Sequence, residues 1–293
     1  MDPTLPRATP RATARPTTPK TTAPRLAKRL VTAVAFPVFY ALNRPSLQWM
    51  AEAAYDFALR WNGIAIGFPG RHGLSYAEER FLQRHLASTG PGVLFDVGAN
   101  AGSYTQVLQR FSPGSTIHAF EPHPRTFQTL QRTAQAGTTL VNMAMSDRAG
   151  TMQLFDFASD DGSTQASLAE AAVGMFDPAT VSHTVEVTTL DDYMERTGIG
   201  WIDLLKIDTE GFDINVLRGA RKALARRAIR AIQFEFIPAD IALHVSMRDF
   251  FEVLQGFRLH RLCLNGELMP LPRYDVKRCE IYITQNLVAL PLE

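Results

Sequence analysis

The sequence predicts an α/β protein, a parallel sheet covered by helices on both faces. Two observations carry this expectation. From Val93 onward, near-continuous apolar strands alternate with helix-compatible segments, and unbroken apolar strands are typical of parallel sheets buried on both sides. At Val93–Phe111 a strand, a glycine-bearing turn and a helix follow one another directly, which is how such a sheet aims a helix N-terminus at a ligand. The 293-residue chain is long enough for one well-buried domain with extensions. Its 30 basic residues nearly cancel 29 acids, so no polyanion is demanded and no nucleic-acid surface is expected.

The elements follow in order. Residues 1–25 are rich in Pro, Thr, Ala and Arg with Asp2 the only acid, too polar to order themselves, and are expected to be a dispensable tail. Residues 26–90 read as an N-terminal helical segment. Within it Leu30–Leu42 is uncharged, flanked by Lys28, Arg29 and Arg44, and interrupted by Pro37. It is too short to span a bilayer, so it packs on the domain or rests on an anionic membrane surface. Ser46–Arg60 has an amphipathic stripe, and Ser75 with Glu78 spells a capping box for the next helix. Residues 91–293 carry the main domain. Strands are expected at Val93–Val97, Thr116–Phe120, Thr139–Ala144, Ile202–Ile207 and Ala231–Phe236, and helices at Tyr104–Phe111, Pro124–Ala134, Phe212–Arg218 and Met247–Leu254. Thr151–Phe157 and Thr184–Val187 read as an added pair of strands, and Ala158–Asp177 as a mobile loop over the site. Phe257–Leu264 and Glu280–Thr284 close the domain. Cys263 and Cys279 form no metal or disulfide pattern, so buried thiols in a reducing cytoplasm are the default.

Ligands of such a sheet bind beyond the carboxyl ends of its strands, and this rule selects the candidate residues. The first turn reads D-x-G-A-N-x-G, with Asp96, Gly98, Asn100 and Gly102. A dinucleotide loop reads G-x-G-x-x-G, and an acid beside a pyrophosphate is repelled. The same acid suits the cationic methionyl end of S-adenosyl-L-methionine. Glu121 ends the second strand about 20 residues on, where a ribose hydroxyl is held. Asn142, Ala144 and the pair Ser146–Asp147 surround the third strand's end, near an adenine edge. Asp208, Glu210 and Glu235 end two further apolar strands and are the candidates for acceptor contact or proton removal, although helix capping also favours acids at the first two. Lys206 and Asp208 share a face and can pair. These carboxylates fix no metal coordination set, and His123, His183 and His244 read as packing or surface residues.

The runs FDVGANAGSYT, HAFEPHPRTF, NMAMSD and LDDYMERTGIGWIDLLKIDTEGFDINVLRGA together resemble the FkbM family of S-adenosylmethionine-dependent methyltransferases. The likeness covers Val93 to Ile283. It implies a class I methyltransferase (Rossmann-like) sheet whose last strand is antiparallel, and O-methylation of a hydroxyl on a glycan, glycolipid or natural product. Two other readings compete. A nicotinamide-dependent oxidoreductase is opposed by the missing third glycine and by Asp96, and a non-catalytic cofactor-binding module by the intact loop, Glu121 and KIDTEG.

Overall fold

Most strands fall within apolar runs of the sequence, and hydrogen bonding sorts them into two sheets. The computed structural model describes residues 35–292. In chain order they are β1 (Val93–Val97), β2 (Thr116–Phe120), β3 (Thr138–Val141), β4 (Ala144–Met145), β5 (Gly150–Phe157), β6 (Thr180–Thr188), β7 (Leu204–Ile207), β8 (Ile232–Phe236), β9 (Phe257–Leu262), β10 (Leu268–Leu271) and β11 (Gln285–Pro291). The main sheet has the order β10-β9-β11-β8-β7-β1-β2-β3, and β4-β6-β5 form a small second sheet. β1 lies parallel to both β2 and β7, while β11 runs antiparallel between β8 and β9. This is the class I methyltransferase arrangement with its reversed last strand. The chain moves outward from β1 to β3, then returns to β7 on the other side, so the crevice opens beyond the end of β1.

Alternation along the strands sorts the core onto two faces. Leu94, Ile117, Leu204 and Val288 pack against the helices Tyr76–Thr89 and Ser103–Phe111. Phe95, Phe120, Leu205 and Phe234 pack on the other side against Leu190–Thr197, Asp213–Arg218 and Met247–Val253. The chain divides into two units, Met1–Tyr55 and Asp56–Glu293. The second contains the Ser75-capped helix, whose Phe81, Leu82 and Leu86 join the sheet core. In the first, residues 35–42 are helical, and Phe36–Leu42 are exposed. The expected tail and the start of the uncharged run lie outside the described residues. Among the described residues no helix is long and apolar enough to cross a membrane.

The edge strand β10 was not expected, and four further elements differ from expectation. The third strand breaks at Asn142, whose Nδ2 donates to the carbonyls of Glu121 at 2.7 Å and Pro122 at 3.1 Å, and Ala144–Met145 then pairs with β6. Glu280–Thr284 is no strand. The Glu280 carboxylate accepts from the amides of Met247 and Arg248, at 3.1 and 3.3 Å, and so caps a helix N-terminus. The closing strand is Gln285–Pro291 instead, with Leu287 and Ala289 on one core face and Val288 on the other. The unanticipated helix Leu190–Thr197 starts at Thr189, which accepts from the Asp192 amide. Finally, the stretch Ala158–Asp177 holds a short helix, Glu170–Gly174, and a bridge between Ser167 and Phe155.

Candidate active site

A cavity of about 300 Å³ opens at the crevice beyond β1, between the tip of β2 and the tip of β7. Its floor is the D-x-G-A-N-x-G turn. Gly98 has φ +84°, and a Cβ there would sit 1.8 Å from the Asp208 carbonyl oxygen. Only glycine lets the β1 and β7 turns touch. Gly98 and Asn100 line the cavity, whereas Gly102, with φ +93°, caps the following helix against Leu130 and does not.

Glu121 faces the cavity from the end of β2. Its Oε2 accepts from the Asn100 amide at 2.9 Å and its Oε1 from the His123 amide at 2.7 Å. Burial nevertheless pushes the carboxyl up to about 7, outweighing those two amides. Among the described residues no cationic side chain forms an ion pair with it. The carboxylate is pre-aimed by backbone donors but still short of the partners that would stabilise its charge. Asp96 sits below the turn and does not line the cavity. It accepts from Thr105 Oγ1 at 2.5 Å, and burial raises it to about 6. Asn142 likewise stands behind the wall, holding the carbonyls of Glu121 and Pro122. The lining near the expected adenine edge is Met143, Ala144 and Met145, and not Ser146 or Asp147.

On the other side of β1, Asp208 and Glu210 line the cavity. Lys206 is fully buried and lies 3.2 Å from Asp208 Oδ2 and 3.8 Å from Glu78 Oε1. Burial pulls its ammonium down, but Asp208, Glu235 and Glu78 outweigh this and hold it well above the ordinary lysine value. Glu210 is held at φ +51°, a strained backbone for a residue with a side chain. Burial first, then the charges of Asp208 and Asp213, push its carboxyl up to about 8. Asp213 ties this corner together, accepting from the Thr209 amide and hydroxyl at 2.9 and 2.6 Å and from the Glu235 amide at 3.0 Å. Glu235 itself stands outside the lining, its carboxyl raised by burial and then by Asp208.

One contribution escapes sequence reasoning. Glu78 lines the cavity as well as capping its helix, and it accepts from Gln233 Nε2 at 2.9 Å. The capping box explained that acid completely, so nothing in the sequence asked for a second role. The loop after β5, expected over the site, lines the cavity through Ser163, Thr164, Ala166 and Leu168. Buried Asp156 accepts from the amides of Gly162 and Ser163, at 2.7 and 3.0 Å. Asp161 accepts from His123 Nε2 at 2.9 Å, His183 Nε2 at 2.7 Å and Arg125 at 3.1 Å. His183, then His123 and Arg125, hold the Asp161 carboxyl well below its usual range. The two histidines are therefore partners in one latch. Their ring atoms and Asp161 lie within 4.8 Å of one another, close enough to surround a metal. However, His123 Nδ1 accepts from the amides of Arg125 and Thr126, which leaves the proton on Nε2 and makes that atom a donor rather than a ligand.

Residues 96–259 match the model of the methyltransferase FkbM domain. The 31-O-demethyl-FK506 methyltransferase FkbM of Streptomyces tacrolimicus is 30% identical over 219 residues, covering 66% of this chain and 81% of that protein. The 2-O-methyltransferase NoeI of Sinorhizobium fredii is 26% identical over 183 residues, 57% of this chain and 72% of that protein. The hexuronic acid methyltransferase AglP of Haloferax volcanii is 27% identical over 172 residues, 57% of this chain and 63% of that protein.

Proposed function

Because the chain belongs to the FkbM family of S-adenosylmethionine-dependent methyltransferases, we propose that it methylates a hydroxyl of a glycan, glycolipid or natural product. Family membership removes the nicotinamide-dependent and non-catalytic alternatives. The observation that carries the reading is one cavity with an under-partnered acid, Glu121, on one side of β1 and a second acid of raised pKa, Glu210, on the other. The names of the three relatives support the acceptor class: 31-O-demethyl-FK506, a 2-O position and a hexuronic acid.

S-adenosylmethionine supplies an electrophilic methyl group on a sulfonium when bound. Glu121 is the residue to hold its ribose hydroxyls, because two such donors are what the half-satisfied carboxylate lacks. Gly98 and Asn100 offer close backbone approach beside it, while Ser163 and Thr164 exclude water from above. Asp96 acts through the turn it supports rather than by contact. At the other side Glu210 lines the cavity and is the group to take the proton of the acceptor hydroxyl, to which the bound donor would supply its methyl group. Its raised carboxyl is a stronger base than an ordinary glutamate once ionised, and its ionised share grows as pH rises through about 8. Asp208, paired with Lys206, orients the acceptor, and Asp213 and Glu235 keep that corner in place. The test is release of S-adenosylhomocysteine from S-adenosylmethionine in the presence of hydroxylated acceptors. Turnover that survives in both Asp208→Asn and Glu210→Gln would contradict the assignment.

A further inference from the structure

We infer that the N-terminal unit is a membrane-surface anchor, its exposed apolar helix lying on an anionic lipid bilayer beside the basic residues that precede it. The near-zero net charge conceals a strong segregation. Arg7, Arg11, Arg15, Lys20, Arg25, Lys28 and Arg29 stand against Asp2 alone in residues 1–34, seven against one. The remaining residues hold 30 − 7 = 23 basic side chains against 29 − 1 = 28 acidic ones. Directly after the basic stretch comes helix 35–42, which carries no charge at all. Phe36, Val38, Phe39, Tyr40 and Leu42 are each between 50% and 73% exposed there.

A helix that is apolar on every side has no reason to sit in water. The next helix, Gln48–Trp61, begins with Trp49 at 66% exposed and Met50 at 46%. Trp and Tyr are the side chains that settle at the level of lipid headgroups. Among the described residues no helix is long and apolar enough to cross a bilayer, and an exposed apolar helix of this length suits insertion at a membrane surface. Apolar insertion and a polybasic flank are the two signals that reversible anchoring needs. The uniform positive sign of the flank selects an anionic lipid surface over a second copy of this chain, whose own basic flank would repel it.

The test reads binding only, so it stands or falls apart from the catalytic reading. The full chain is sedimented with phosphatidylcholine vesicles, with or without phosphatidylglycerol, while tryptophan emission is followed. Pelleting with the anionic vesicles alone, a blue shift and release by salt are expected. Each of Arg25, Lys28 and Arg29 changed to Gln should lower partition about fivefold. Because Phe36, Phe39 and Trp49 are exposed, the triple change Phe36→Ala, Phe39→Ala, Trp49→Ala should keep the circular dichroism spectrum and abolish binding. A wild-type chain that stays in the supernatant overturns the inference, as does a triple variant that binds normally. A dimer in light scattering that the triple variant dissolves would also overturn it, by assigning the face to a second copy.

Discussion

Changing Glu121 to Gln should flatten the pH dependence of stability of the ligand-free protein. The folded-state carboxyl stands at about 7 instead of 4.5, so between those values the folded protein holds a proton that the unfolded chain has released. Stability must therefore fall as pH rises through this window. From about pH 5.5 to about pH 8.5 the shift removes about 2 kcal/mol, which in a domain of this size is about 4–8 °C of melting temperature. Gln cannot titrate, so the variant escapes that loss whatever its absolute stability. Differential scanning calorimetry at the two pH values, for both proteins, measures the difference directly. S-adenosylhomocysteine should bind the ionised wild-type carboxylate and weaken as pH falls through about 7. Equal pH-dependent losses in wild type and Glu121→Gln would refute the idea that this acid is buried and short of partners.

Three further outcomes are expected. Asp208→Asn and Glu210→Gln should each lower turnover, one or both by roughly 10²–10⁴-fold, with little change in S-adenosylhomocysteine affinity, and the wild-type rate should climb as pH rises through about 8 and Glu210 ionises. Single-turnover kinetics and calorimetry separate the two effects. Gly98→Ala places a Cβ 1.8 Å from a backbone carbonyl, so it should cost more than about 2 kcal/mol in a denaturant melt, while Gly137→Ala, at φ +95° in open space, should cost only about 1–2 kcal/mol. Asp161→Ala removes the acceptor shared by His123, His183 and Arg125. It should speed S-adenosylhomocysteine release in stopped-flow and expose residues 158–168 to proteolysis.

The parallel strands of the main sheet were legible because burial on both faces leaves near-continuous apolar runs, as at Val93–Val97 and Thr116–Phe120, whereas β10 and the position of the last strand were not. Elements decided by a single side chain were not. Asn142 interrupts β3 and Glu280 caps a distant helix, and neither role is visible in a local pattern. Helix Leu190–Thr197 could have been read from Thr189 and Asp192, a capping pair ahead of Tyr193 and Met194. At the site, Gly98, Asn100, Glu121, Asp208 and Glu210 line one cavity. Asp96, Gly102, Asn142 and Glu235 stand behind its wall, because strand ends in a twisted sheet project to both sides and spacing does not say which. Gly98 itself spares the Asp208 carbonyl, a contact between turns that lie about 110 residues apart. The latch of His123, Asp161 and His183 joins three separate segments, so each histidine looked ordinary alone.

The measurement that tests the central claim most directly is calorimetric titration of S-adenosylhomocysteine and NAD into the wild type and Glu121→Ala. The wild type should bind S-adenosylhomocysteine at one site and NAD not at all. The variant should lose roughly 1.5–3 kcal/mol, or about 10–200-fold in affinity, since charge-assisted bonds to a carboxylate carry that much. If Glu121→Ala binds S-adenosylhomocysteine as tightly as wild type, or if NAD binds in its place, the cavity between β2 and β7 is not the methyl-donor site.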